Sequence, residues 1–194
     1  MKTIEEIQQE FKDSLEIPTT KPTKKCLVCP VGLIGSGKTT VIKPIAKELN
    51  LVRVSNDEYR ILLKQNGHGY ETIKSFLNLV RSELLNQGHS IAIDANAGGQ
   101  TSFNFITRAR EEFGVEVYWL NINTPDKYAE AGLRQRNSPL ATSSEDWIKN
   151  RAQQKQRMET LKYEFDFFCE FDISRADLRG QISSCIQKLR TEIY

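Results

Sequence analysis

No stretch of this sequence approaches the ~20 consecutive apolar residues that a membrane span requires, and the first residues lack the apolar core of a signal peptide. No membrane partner is expected, and a cytoplasmic setting is the default. Cysteine is scarce. Four thiols in 194 residues do not make a disulfide framework. Cys26 and Cys29 form a C-x-x-C, but inside the apolar run CLVCPV. Strand residues three apart face opposite sides, which argues against a shared metal and for four buried thiols. The two histidines, His68 and His89, lie in loop contexts and suggest no role. Net charge is only +2, which neither demands nor excludes a nucleic-acid partner, because a basic patch can hide in a balanced sum. Repeats and low-complexity tracts are absent. With 39% hydrophobic and 27% charged residues, the composition fits one globular domain.

What is present is an alternation of strand and helix patterns. Ile4, Ile7, Phe11 and Leu15 recur at helical spacing, and the prolines and lysines of IPTTKPTKK then read as a linker. Residues 1–24 are thus expected to form an N-terminal helical appendage, packed on the core or engaging a partner. From residue 25 to 194 the strands CLVCPV, LVRVS, SIAID, VEVYWLNI and a late one near Cys169–Ile173 are separated by helical stretches. This pattern predicts a single α/β domain with a doubly wound parallel sheet flanked by helices. Trp119, within the fourth strand, is expected in the core.

The most informative segment is GLIGSGKTT, comprising Gly32, Leu33, Ile34, Gly35, Ser36, Gly37, Lys38, Thr39 and Thr40. It fits G-x-x-x-x-G-K-[ST] between a strand and a helix. The glycines let backbone N–H groups turn toward a β-phosphate at a helix N-terminus. Lys38 supplies a point charge for the β- and γ-phosphates, and the Thr39 hydroxyl is suited to direct Mg²⁺ ligation. A nucleoside triphosphate, ATP or GTP, is the expected donor.

Nineteen residues beyond Lys38, the second strand ends in VSNDEYR. Ser55 and Glu58 have the spacing of a capping box, which leaves Asp57 free. Asp57 and Arg60 share a helical face, so a carboxylate able to accept a hydroxyl proton would sit beside an arginine able to hold an anion. Dipole complementation and a surface ion pair would explain the same spacing. Asp94 ends the third strand, where ligands bind in doubly wound sheets. With Asn96 two residues on, it is expected to contact the acceptor or to hold Mg²⁺ through water. In RQRNSP, Arg134 and Arg136 point apart on a helix. The break at 137–139 reads as part of a helical lid over about 134–145, with one arginine facing the phosphates. Lys149, Arg151, Lys155 and Arg157 form a charged run that reads as solvated.

Taken together, GSGKTT, NDEYR, IAIDANAGG and RQRN resemble the polynucleotide 5′-hydroxyl kinase branch of the P-loop kinases, which includes phage polynucleotide kinase and the kinase domain of fungal tRNA ligases. PVGLIGSGKTT followed by ND is similar to the tRNA-ligase type, and the resemblance covers Cys26 to Pro139. It implies Asp57 as general base toward a 5′-hydroxyl, Arg60 on the acceptor's phosphate, Asp94 as an essential carboxylate and Arg136 as a lid arginine. Two departures stand out. Asn56 replaces a basic residue of the phage-type motif, and no second lid arginine follows Arg136 around Leu140. Zeta-toxin-like kinases, chloramphenicol phosphotransferase and gluconate kinase share the skeleton and phosphorylate small molecules. The expectation is therefore a Mg²⁺-dependent phosphotransferase acting on the 5′-hydroxyl of RNA or DNA. A small-molecule kinase and a non-catalytic nucleotide-switched binding module are the alternatives.

Overall fold

A computed structural model describes residues 1–136, 138–140, 143–161 and 164–194. The elements run α1 (Ile4–Asp13), β1 (Cys26–Val31), α2 (Lys38–Glu48), β2 (Val52–Ser55), α3 (Asn56–Gln65), α4 (Ile73–Asn86), β3 (Ile91–Asp94), α5 (Gln100–Phe113), β4 (Glu116–Asn123), α6 (Asp126–Gln135), α7 (Ser144–Glu159), β5 (Phe167–Asp172) and α8 (Leu178–Ile193). The five strands form one sheet in the order β2-β3-β1-β4-β5, and every pairing is parallel. The chain builds outward from β1 to β2, returns through β3, and then crosses β1 to β4 and β5. Winding thus reverses at β1, and ligands bind at the carboxyl ends of strands near such a reversal.

A parallel sheet covered by helices is buried on both faces, so its central strand is apolar throughout. Every residue of β1 is buried. Cys26 and Val28 join the core beneath α2 and α8, while Leu27 and Cys29 join the opposite core with α3, α4 and α5. The two cysteines of the C-x-x-C therefore lie on opposite sides of the sheet. Cys185 is buried as well, but Cys169 is half-buried, because its edge strand is covered less completely than β1. Trp119 is partly buried, stacked on Phe103 at 5.9 Å between ring centroids and edge-on to Phe165 at 4.8 Å.

The N-terminal helix belongs to the core. Ile7 and Phe11 are fully buried, and Phe11 packs edge-on against Tyr59 of α3 and Phe76 of α4, at 5.3 and 5.9 Å. Burying side chains of this size contributes about 1.5–3 kcal/mol each. Thr3 and Glu6 form a reciprocal capping box at the helix start. His68 bonds to the Lys2 carbonyl at 2.8 Å.

Candidate active site

Three strand ends build the site. β1 runs into the glycine-rich loop, whose second half starts α2 at Lys38. Gly32 has no room for a side chain: a Cβ there would lie 2.5 Å from the Ile122 carbonyl oxygen and 2.5 Å from Ser36 Oγ. Gly37, the N-cap of α2, has φ of 84°, a left-handed conformation that suits glycine. Lys38 folds back over the loop and donates to the carbonyl oxygens of Leu33 at 2.7 Å and Gly32 at 3.0 Å. Burial lowers its pKa to about 8, against the opposing pull of Asp57 and Asp94.

β3 delivers Asp94, only 5% exposed. Its Oδ1 accepts the Thr39 hydroxyl at 2.8 Å, and its Oδ2 accepts Arg53 Nη1 at 2.6 Å. A hydroxyl and a carboxylate at this spacing are the hard oxygen donors that Mg²⁺ selects. Among the described residues there is no cluster of three or more His, Cys, Asp or Glu, so such an ion would depend on phosphate oxygens and water for its other ligands. Asn96 ties two turns together, accepting from Gly32 N at 3.2 Å and Gly98 N at 3.3 Å.

β2 delivers Asp57 through the start of α3. Ser55 caps the helix, accepting from Glu58 N at 3.4 Å. The expected capping box is only half formed, because the Glu58 carboxylate pairs with Arg53 instead of reaching back to Ser55. Asp57 is free of capping and lies between two arginines. Arg60 Nη1 donates to its Oδ1 at 3.0 Å, and Arg136 Nη2 to its Oδ2 at 3.3 Å. The guanidinium of Arg136 also lies 4.5 Å over the Trp147 ring. Arg134 points elsewhere and makes an exposed pair with Glu145 at 3.8 Å. Of the lid expected over about 134–145, residues 137, 141 and 142 lie outside the described residues.

Lys38, Thr39, Asp57, Arg60, Asp94, Asn96 and Arg136 all line one cavity of about 790 Å³. Among the described residues its wall carries six cationic side chains (Lys38, Arg60, Lys74, Arg81, Arg136 and Arg157) against two carboxylates, Asp57 and Asp94.

Arg151 corrects the reading of α7 as a merely solvated charged face. It is 5% exposed and donates to the carbonyls of Ile34 at 2.6 Å and Thr124 at 3.2 Å, and to Asp126 Oδ1 at 2.7 Å. Gln154, one turn on, accepts from Ile34 N at 2.7 Å. Both polar groups of a loop residue are thus held by α7. Arg151→Ala strands two carbonyls while leaving Asp126 half in water, so it should cost about 1–3 kcal/mol. At about 2–4 °C per kcal/mol for a chain of this size, a calorimetric melt should fall by several degrees. An unchanged melt would show the latch to be idle.

A family model described as an AAA domain matches residues 27–161, from β1 to just beyond α7. The chain belongs to this AAA-domain family. No curated protein matches it in sequence. Among solved structures, a candidate kinase from Chloroflexus aurantiacus superposes with a TM-score of 0.66 at 13% identity, covering 88% of this chain and 100% of that one. The APS kinase CysC of Mycobacterium tuberculosis, in complex with AMPPNP and APS, gives 0.58 at 18% identity over 87% of this chain and 99% of its own. A chain of the Pnkp1/Rnl/Hen1 RNA repair complex gives 0.53 at 21% identity, with 75% of this chain aligned to 49% of that one. At these identities the likeness is one of fold. The fold is one that it shares with these solved kinases.

Proposed function

We propose that the protein transfers the γ-phosphate of ATP or GTP to a hydroxyl, and that the acceptor is the 5′-hydroxyl end of RNA or DNA. The observation that carries this reading is Asp57, held between Arg60 and Arg136 in the cavity that also contains Lys38 and Thr39. Loop amides and Lys38 bind the triphosphate. The acceptor oxygen bonds to the γ-phosphorus as the bond to the β–γ bridging oxygen breaks, and the nucleoside diphosphate leaves. Asp57 takes the hydroxyl proton, and Arg136 neutralises charge developing on the transferred group. Thr39 and Asp94 would hold Mg²⁺, whose chemical contribution is to offset phosphate charge and orient the donor.

The excess of cations on the cavity wall supports an anionic acceptor such as a nucleic-acid end. The cavity's volume, typical of small-ligand sites, keeps a phosphorylated small molecule as the second reading. Labelled γ-phosphate transfer to a panel of 5′-hydroxyl RNA, DNA and sugars would decide between them. A nucleic-acid acceptor should lose affinity steeply as salt rises, whereas transfer to sugars alone would overturn the reading. Arg60→Ala should raise the KM of a 5′-hydroxyl oligonucleotide by about 5- to 50-fold, as expected for losing one charge-assisted contact, with a much smaller change in kcat. An unchanged KM would remove Arg60 from the acceptor site.

A further inference from the structure

Arg81 of α4 is used by none of the roles above. It is 3% exposed, yet it lines the same cavity as Lys38 and Asp57. Arg151, equally buried, has the Asp126 carboxylate. Arg81 has no carboxylate partner among the described residues. Its Nη1 donates to Asn78 Oδ1 at 3.2 Å, its Nη2 to Asn56 Oδ1 at 2.6 Å, and its Nε is buried without a partner. The Phe105 ring lies 5.8 Å from the guanidinium. Burial lowers the pKa to about 10, so the group remains charged at neutral pH. A buried cation without a counter-charge is costly to a fold, and an anion brought into the cavity would supply what is missing.

The neighbours fit the same ligand. A guanidinium offers only donors, so Asn56 and Asn78 must turn their carbonyl oxygens toward it. Their amide N–H groups are left over, and none bonds to a described residue. Arg81 with the two amides forms a donor-only set on the cavity wall, complementary to phosphate oxygens. Asn56 directly precedes Asp57, so a group anchored here would hold a hydroxyl of the same molecule beside the carboxylate.

We infer that Arg81, flanked by Asn56 and Asn78, forms a subsite that binds a phosphate carried by the acceptor. This rests on the kinase reading and adds a phosphate-binding subsite to its acceptor side. The test is calorimetric titration of the full-length protein, saturated with Mg²⁺ and a non-hydrolysable ATP analogue. The probes are adenosine 3′-monophosphate, glucose 6-phosphate and adenosine. At least one phosphorylated probe should bind about tenfold or more tightly than adenosine. Arg81→Met should reduce that preference to threefold or less with the affinity for the ATP analogue unchanged, and Asn78→Ala should reduce it part-way. Glucose 6-phosphate binding that depends on Arg81, without binding of adenosine 3′-monophosphate, would keep the phosphate site and overturn the nucleic-acid reading. No preference for phosphorylated probes in the wild type would overturn the inference. So would a preference that survives in folded Arg81→Met, or in Asn78→Ala should Arg81→Met fail to fold.

Discussion

Asp57→Ala is expected to lower the rate of phosphoryl transfer by about 10²–10⁴-fold, the usual worth of a positioned general base, while nucleotide binding stays intact. The separation follows from where the carboxylate sits. Asp57 hydrogen-bonds to two arginines and, among the described residues, to no part of the glycine-rich loop, so its removal breaks no hydrogen bond of the phosphate cradle. Both ion pairs are well exposed, with about 40% of each side chain reaching solvent, and such pairs contribute about 0–1 kcal/mol. The variant should therefore melt near the wild type. Removing a carboxylate that opposes the lowered pKa of Lys38 also removes a negative charge near the donor's phosphates, so the affinity for ATP should hold or rise. Single-turnover rates and equilibrium nucleotide titrations on the same preparation separate the two effects. Near-full activity would end the assignment of Asp57 as base.

Lys38→Met should abolish measurable transfer, with a loss of at least about 10²–10³-fold for a charge aimed at the reacting phosphates, and should leave the fold no less stable. The two signs come from one cause. Burial pulls the lysine from 10.5 to about 8, so the empty protein bears a charge that it would sooner release. Below pH 8 both folded and unfolded chains carry that proton and the full penalty is present. Between pH 8 and 10.5 the unfolded chain binds more protons, so wild-type stability rises with pH through this window. Lys38→Met lacks that rise, and its advantage in melting temperature should be greatest below pH 8 and shrink toward pH 10.5. Nucleotide binding to the wild type near pH 8 should also take up a fraction of a proton, as phosphate restores the ammonium. Calorimetry in buffers of different ionisation enthalpy reads this directly. A melting curve for Lys38→Met well below the wild type at neutral pH would contradict this account.

The parts of the molecule that sequence disclosed were those governed by local pattern. Strand alternation and helical spacing located all five strands of the sheet, because burial on both faces of a parallel sheet leaves an unmistakable apolar run such as CLVCPV. The phosphate loop was legible because backbone conformation demands particular residues at fixed intervals. Asp57 stood out because Ser55 occupies the cap, and this holds although Glu58 turns to Arg53. The arginines were the opaque part. Arg53, Arg81 and Arg151 look like ordinary strand and helix charges in the chain, and their roles arise from partners 41, 25 and 117 residues away. Helical spacing shows which residues share a face but not what that face meets. Arg151 is buried because α7 lies across the loop. No interval within α7 carries that information.

The contact between Phe11 and Tyr59 gives the first helix a mechanical meaning. The family match begins at residue 27, so the shared domain starts after α1 has ended, while the rear of α3 is completed by side chains from α1. The helix that carries Asp57 is thus braced by a segment that precedes the matched residues. Detaching that strut should loosen α3 and with it shift Asp57, the base we propose.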